Sequence, residues 1–189
     1  MTTGASDLHA IAAARTGREF RGLVRSYDRA LASLERDPAE LFERVPGVSG
    51  WSVAEHRFHL ALASELVVRN LRSLAKGEGR FVAPDGDPIP EALPILARGR
   101  LPRGERAPRM VTPPDEFDAD FLHEILESGR EGLLRLEPAL EGFAASAATI
   151  PHQTLGPLTA PLWLRFGRMH ALHHEGIMAE IDRARASAG

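Results

Sequence analysis

The stretch Met169-His-Ala-Leu-His-His-Glu175 places His170 and His174 four residues apart. On a helix that separation is one turn plus about 40°, so both rings can project toward one point from a rigid backbone. Helical metal sites use this spacing, the zinc metalloprotease motif among them. The glutamate of that motif is missing here, because Ala171 directly follows His170. His173 lies on the same broad face, and spacing alone does not rank it far below His174. Two ligands from one helix need a third from another element, and His59 is the candidate donor. Three neutral imidazoles bind zinc, nickel or iron(II) and leave positions open for water or substrate. A divalent cation so held lowers the pKa of a water or thiol and polarises a ligand. A buried ring without a partner is costly, so several histidines on two facing helices favour ligation over simple burial.

The remaining chemistry is sparse. Of the eight histidines, His9 and His123 have no partner in sequence and read as structural or solvated; His152 precedes the last helix and can approach an open end of the fold. The chain has no cysteine, which removes disulfides, thiolate metal sites and cysteine nucleophiles together. A formal net charge of −3 argues against holding a phosphate backbone, so no nucleic-acid partner is expected. No run approaches the roughly 20 apolar residues that cross a bilayer, and the first residues lack the pattern of a signal peptide. The expectation is one cytoplasmic domain of 189 residues acting on a small molecule.

Four amphipathic segments must position these groups. Phe20, Leu23, Val24, Tyr27, Leu31 and Leu34 recur at helical spacing and predict a first helix over 16–37. Ser52-Val-Ala-Glu55 fits a capping box and opens a second helix over 52–76, which ends before Gly77. His56, His59, Ala63, Leu66, Val67, Asn70 and Leu74 share its inward arc. A third helix is expected over 117–141, and a fourth over 159–185 with Thr159 as N-cap and Pro161 in its first turn. The Pro/Gly-rich segment 77–115 reads as a long irregular connection lying across the helices, with a short helical turn near 91–97. The link 143–157 reads as irregular too. The fold class is all-α with no convincing strand, and the long connection speaks against a simple up-down-up-down order.

Two blocks carry a family resemblance. Trp51-Ser-Val-Ala-Glu55 followed by His59-Leu60 resembles the start of the second helix in the DinB/YfiT-like superfamily. Gly156-Pro-Leu-Thr-Ala-Pro-Leu-Trp163 leading into His170 and His174 resembles that family's closing segment. The resemblance implies a four-helix bundle, with metal ligands at His59, His170 and His174, and His173 as a neighbouring non-ligand. It also implies a homodimer. Some members of the family act as transferases or isomerases with bacillithiol, mycothiol or glutathione, so a low-molecular-weight thiol is the implied cosubstrate. A metal-dependent hydrolase at the same site and a non-catalytic binding or stress-response protein are the alternatives. Two positions depart from the family pattern. Ile177 stands where glutamine is frequent, and His56, usually aliphatic, is one turn from His59 and can serve as outer partner or alternative ligand.

Overall fold

The computed structural model describes residues 4–104 and 106–187. Its helices are α1 (Ala5–Ala14), α2 (Thr16–Ala32), α3 (Pro38–Phe42), α4 (Val53–Lys76), α5 (Ala92–Arg98), α6 (Ala119–Leu134), α7 (Leu140–Ala145) and α8 (Ala160–Ala186). A hairpin of β1 (Thr149–His152) and β2 (Gly156–Thr159) precedes α8. Among the described residues no helix is long and apolar enough to cross a membrane.

The ends of these elements follow local chemistry. The Ser52 hydroxyl accepts from the Glu55 amide, and the Glu55 carboxylate accepts from the Ser52 amide at 2.8 Å. Both halves of the expected capping box are therefore formed. Gly77 closes α4 in the left-handed conformation at φ 66°, which costs glycine little. The first long helix stops earlier than expected. Its last turn tightens to a 3-10 turn at Ser33–Glu35, because a residue before proline disfavours the α region, and Asp37 instead caps α3 with Pro38 at its start. The third helix ends at Leu134 rather than near 141. Pro138 lacks an amide proton and its ring crowds the carbonyl four residues back, so the chain passes through a 3-10 turn before α7.

The link 143–157 was expected to be irregular and is in part a hairpin. Thr149 pairs with Thr159 and Ile150 with Leu158, while Pro151 faces Pro157. Two prolines facing each other give no ladder donors, and two-way hydrogen bonds of 2.9 Å between Ala83 and Thr149 add a third strand position. Thr159 sits at the N-cap of α8 with extended backbone but without a side-chain cap bond.

Helix direction explains the long connection. Phe58 meets Phe121 and Val68 meets Gly132, so α4 and α6 run the same way. Glu19 meets Arg165 and Arg168, Arg29 meets Glu175, and Arg36 meets Asp182, so α2 and α8 are also parallel. His59 meets His170 while His56 meets His174, so α4 and α8 are antiparallel. A chain that leaves the C-terminal end of the 24-residue α4 must travel back about 36 Å before entering α6. The segment does so along α8. Ala83 pairs with Thr149, the Leu96 carbonyl accepts from Arg165, Arg103 binds Glu180, and Phe117 packs on Phe58. The turn expected near 91–97 is α5, tied down by Arg165, whose guanidinium donates to the Leu96 and Ala97 carbonyls.

The core lies between α2, α4, α6 and α8, with Leu8 and Ala12 of α1 closing one side. The buried face of α4 is wider than the expected arc. Phe58, Ala61, Val68 and Leu71 join His56, His59 and Val67, because α4 is covered by α6, α8 and the returning segment at once.

Candidate metal centre

His59 lies on the second turn of α4, and His170 and His174 lie on successive turns of α8. Their Nε2 atoms converge. His170 Nε2 is 3.0 Å from His59 Nε2 and 3.1 Å from His174 Nε2. Nitrogen ligands held about 2.0–2.1 Å from one metal stand about 2.9–3.4 Å apart, from octahedral to tetrahedral angles. The three side chains form a group that can hold a metal ion. His56 and His173 stand outside it, although the His173 ring meets that of His174 edge-on.

Proton bookkeeping supports the same conclusion. His59 Nδ1 is 2.7 Å from the Val111 carbonyl. A carbonyl only accepts, so His59 carries its proton on Nδ1 and presents a lone pair at Nε2. His170 Nε2 must then donate to satisfy His59, which leaves it no in-plane lone pair for His174. Neutral rings cannot satisfy both contacts with two-centre hydrogen bonds, whereas one cation accepts all three lone pairs. The donor set fits a divalent metal.

Burial keeps these rings neutral. His59 and His174 are 2% and 8% exposed, and His170 is partly buried. Desolvation is the largest cause that lowers the pKa of all three, with neighbouring imidazoles adding to it. His170 is lowered to about 3, and His56 to about 4. A neutral imidazole is the form that binds metal.

Each ring is held differently. Val111, in the 3-10 turn Arg109–Val111 of the returning segment, fixes His59. His174 Nδ1 faces His56 Nδ1 at 2.9 Å. Phe166 stacks on His170 with 5.6 Å between centroids and 9° between planes. Trp51 covers the helix start, 5.0 Å from the His59 ring and 5.4 Å from His56.

The other histidines play no part in this group. His9 pairs with Asp87 at 3.0 Å, and His123 is exposed beside Glu127. His152 rests against Phe166 and Trp163, with burial lowering its pKa to about 4. Glu175, the next residue after His174, accepts from Arg29 of α2 at 2.9 Å. Spacing could find the three histidines but not Val111 or Phe166. A backbone carbonyl leaves no mark in sequence, and Phe166 reads as an ordinary core position.

No family model matches the chain, and no curated protein or solved structure matches it either.

Proposed function

We propose that this chain is a metal-dependent enzyme that transfers or isomerises a substrate through a low-molecular-weight thiol, on a four-helix bundle of the DinB/YfiT-like kind. The observation that carries the reading is the convergence of three histidine Nε2 atoms at 3.0 and 3.1 Å, with no carboxylate in the group among the described residues. Zinc, nickel or iron(II) would suit three imidazoles. Bound there, the cation supplies a Lewis acid that lowers the pKa of an incoming thiol. The chain itself contributes orientation and exclusion of water. Val111 keeps His59 in the ligating tautomer, Phe166 and Trp51 shield the rings with apolar surface, and the Arg103–Glu180 pair at 2.7 Å ties the returning segment to α8.

Thiol chemistry is favoured over hydrolysis by what surrounds the group. A hydrolase of the metalloprotease type uses a glutamate as general base beside the metal. Here Glu55 is committed to the α4 cap and Arg44, and Glu175 to Arg29. A thiol ionises near pH 8.5 and needs less help than water to become a nucleophile. With no cysteine in the chain, that thiol comes from solution. The same reading expects two copies of the chain to pair.

The test begins with elemental analysis of untagged protein beside a His170→Ala/His174→Ala variant. Near-stoichiometric metal in the first and none in the second is expected. Loaded protein is then given glutathione, mycothiol or bacillithiol with a chlorodinitrobenzene electrophile. Turnover that needs both metal and thiol supports the reading. Turnover of esters or amides by water alone makes it a hydrolase, and tight metal binding without turnover makes it a binding protein. Folded wild-type protein that takes up no metal ends the proposal.

A further inference from the structure

Among the described residues, His174 is the one of the three converging histidines whose outer nitrogen faces a group able to donate or accept. His174 Nδ1 is 2.9 Å from His56 Nδ1, and His56 Nε2 is 3.0 Å from Ser49 Oγ. Both rings are buried, His56 at 2% exposure. Ser49 Oγ also accepts from the Trp51 amide at 3.1 Å, which fixes the hydroxyl within the turn before α4. The capping box at Ser52 fixes where the helix starts, and so holds His56 one turn from His59.

This chain of three side chains has two neutral proton arrangements. In the first, His174 carries its proton on Nδ1 and donates to His56 Nδ1, and His56 Nε2–H donates to Ser49 Oγ. The His174 Nε2 lone pair then faces the other candidate ligands. In the second, the Ser49 hydroxyl rotates to donate to His56 Nε2, and His56 Nδ1–H donates to His174 Nδ1. His174 then carries its proton on Nε2, where it blocks ligation. Each ring has moved one proton from one nitrogen to the other, and the charge is unchanged. His59 has no such choice, because the Val111 carbonyl can only accept.

We propose that His56, backed by Ser49, is a positioning residue that accepts the Nδ1 proton of His174 in the first arrangement, holding that ring in its ligating form and thereby raising the metal affinity of the site. The inference rests on the metal reading above and deepens it. An outer partner that orients a ligating histidine is typically worth 10- to 100-fold in metal affinity. His56 is suited to the role because a neutral imidazole can accept at one nitrogen while donating at the other. Leucine at this position would fill the space but leave His174 Nδ1 without a partner. Asparagine would return an acceptor oxygen close to the position of the missing Nδ1.

The experiment measures zinc affinity by competition with a chromophoric chelator for wild type, His56→Leu, His56→Asn and Ser49→Ala, each checked for helical content. The expected result is about a 10- to 100-fold loss for His56→Leu, substantial recovery in His56→Asn, and a smaller loss for Ser49→Ala. A folded His56→Leu protein with wild-type affinity overturns the proposal and leaves the metal reading intact. So does an asparagine variant no better than leucine. Should the leucine variant not fold, long-range proton–nitrogen NMR of zinc-loaded wild type decides. Protons on His174 Nδ1 and His56 Nε2 support the assignment, and a proton on His56 Nδ1 overturns it. Wild type that binds no zinc overturns this inference and the metal reading together.

Discussion

Phe166 lies flat on His170, one helical turn away on α8, with 9° between the ring planes. Among the described residues no hydrogen bond engages His170 Nδ1, so stacking takes the place that a carbonyl fills for His59 and an imidazole for His174. Phe166→Ala should therefore weaken zinc binding by about tenfold, at the low end of the range for outer partners. Phe166→Leu should lose less, because it keeps most of the volume. Chelator competition on both variants measures this. Equal affinity in all three proteins would show that α8 alone orients His170.

Acid should destabilise the metal-free protein in a window set by its histidines. His56 and His152 are lowered to about 4 and His170 to about 3, in each case mainly by desolvation. Their folded pKa values lie below the unfolded value, so the unfolded chain binds more protons as pH falls. Their stabilisation is complete above about pH 6.5 and drains away toward pH 4, at up to about 1.4 kcal/mol per pH unit for each ring. Glu55, lowered by its bonds to Arg44 and Ser52 against the cost of burial, and Glu180, lowered by Arg103, act at more acid pH. Urea midpoints between pH 7.5 and 5 isolate the histidines. A midpoint constant over that range would mean that the rings are solvated.

Much of this site was legible in sequence because its determinants are local. The capping box needs only Ser52 and Glu55, and the i, i+4 pair His170/His174 needs only a helix. His59 followed from the inward arc of α4. The determinants that sequence concealed are those in which distant parts of the chain meet. The Val111 carbonyl reaches His59 only because α4 and α6 run parallel and force the returning segment along α8. The hairpin was hidden by short strands carrying Pro151 and Pro157, whose partner at Ala83 lies far back in the chain. The helix over Ala5–Ala14 was missed because its alanines give almost no amphipathic stripe, while only Leu8 and Ala12 are buried.

Glu19, 4% exposed on α2, binds Arg168 at 2.9 Å and Arg165 at 3.3 Å. Removing one partner of a buried ion pair leaves an uncompensated charge and typically costs about 3–5 kcal/mol. Glu19→Leu should fall in that range by urea unfolding, since burial already depresses the Arg165 pKa. Arg165→Met should cost less, because Arg168 still neutralises Glu19. It should instead release α5, whose Leu96 and Ala97 carbonyls Arg165 holds. Faster trypsin cleavage at Arg98 and Arg100 in Arg165→Met than in Glu19→Leu, compared at equal global stability, would identify Arg165 as the anchor of the returning segment. Equal cleavage would assign that role to other contacts.

Two helical glycines should respond to alanine with opposite signs. In the middle of a helix, alanine is favoured over glycine by about 1 kcal/mol. At Gly176, exposed on α8, an added Cβ meets nothing within 4 Å, so Gly176→Ala should gain most of that. At Gly129, where α6 passes α2, the Cβ would sit 2.6 Å from the Tyr27 hydroxyl oxygen and 2.9 Å from its ring. Tyr27 is 4% exposed and cannot swing into solvent. Overpacking of this kind costs about 1–3 kcal/mol, which outweighs the propensity gain, so Gly129→Ala should lower the melting temperature while Gly176→Ala raises it. Stabilisation by Gly129→Ala would mean that α2 and α6 can separate at this crossing, and that the contact does not fix the spacing of the helices flanking α4.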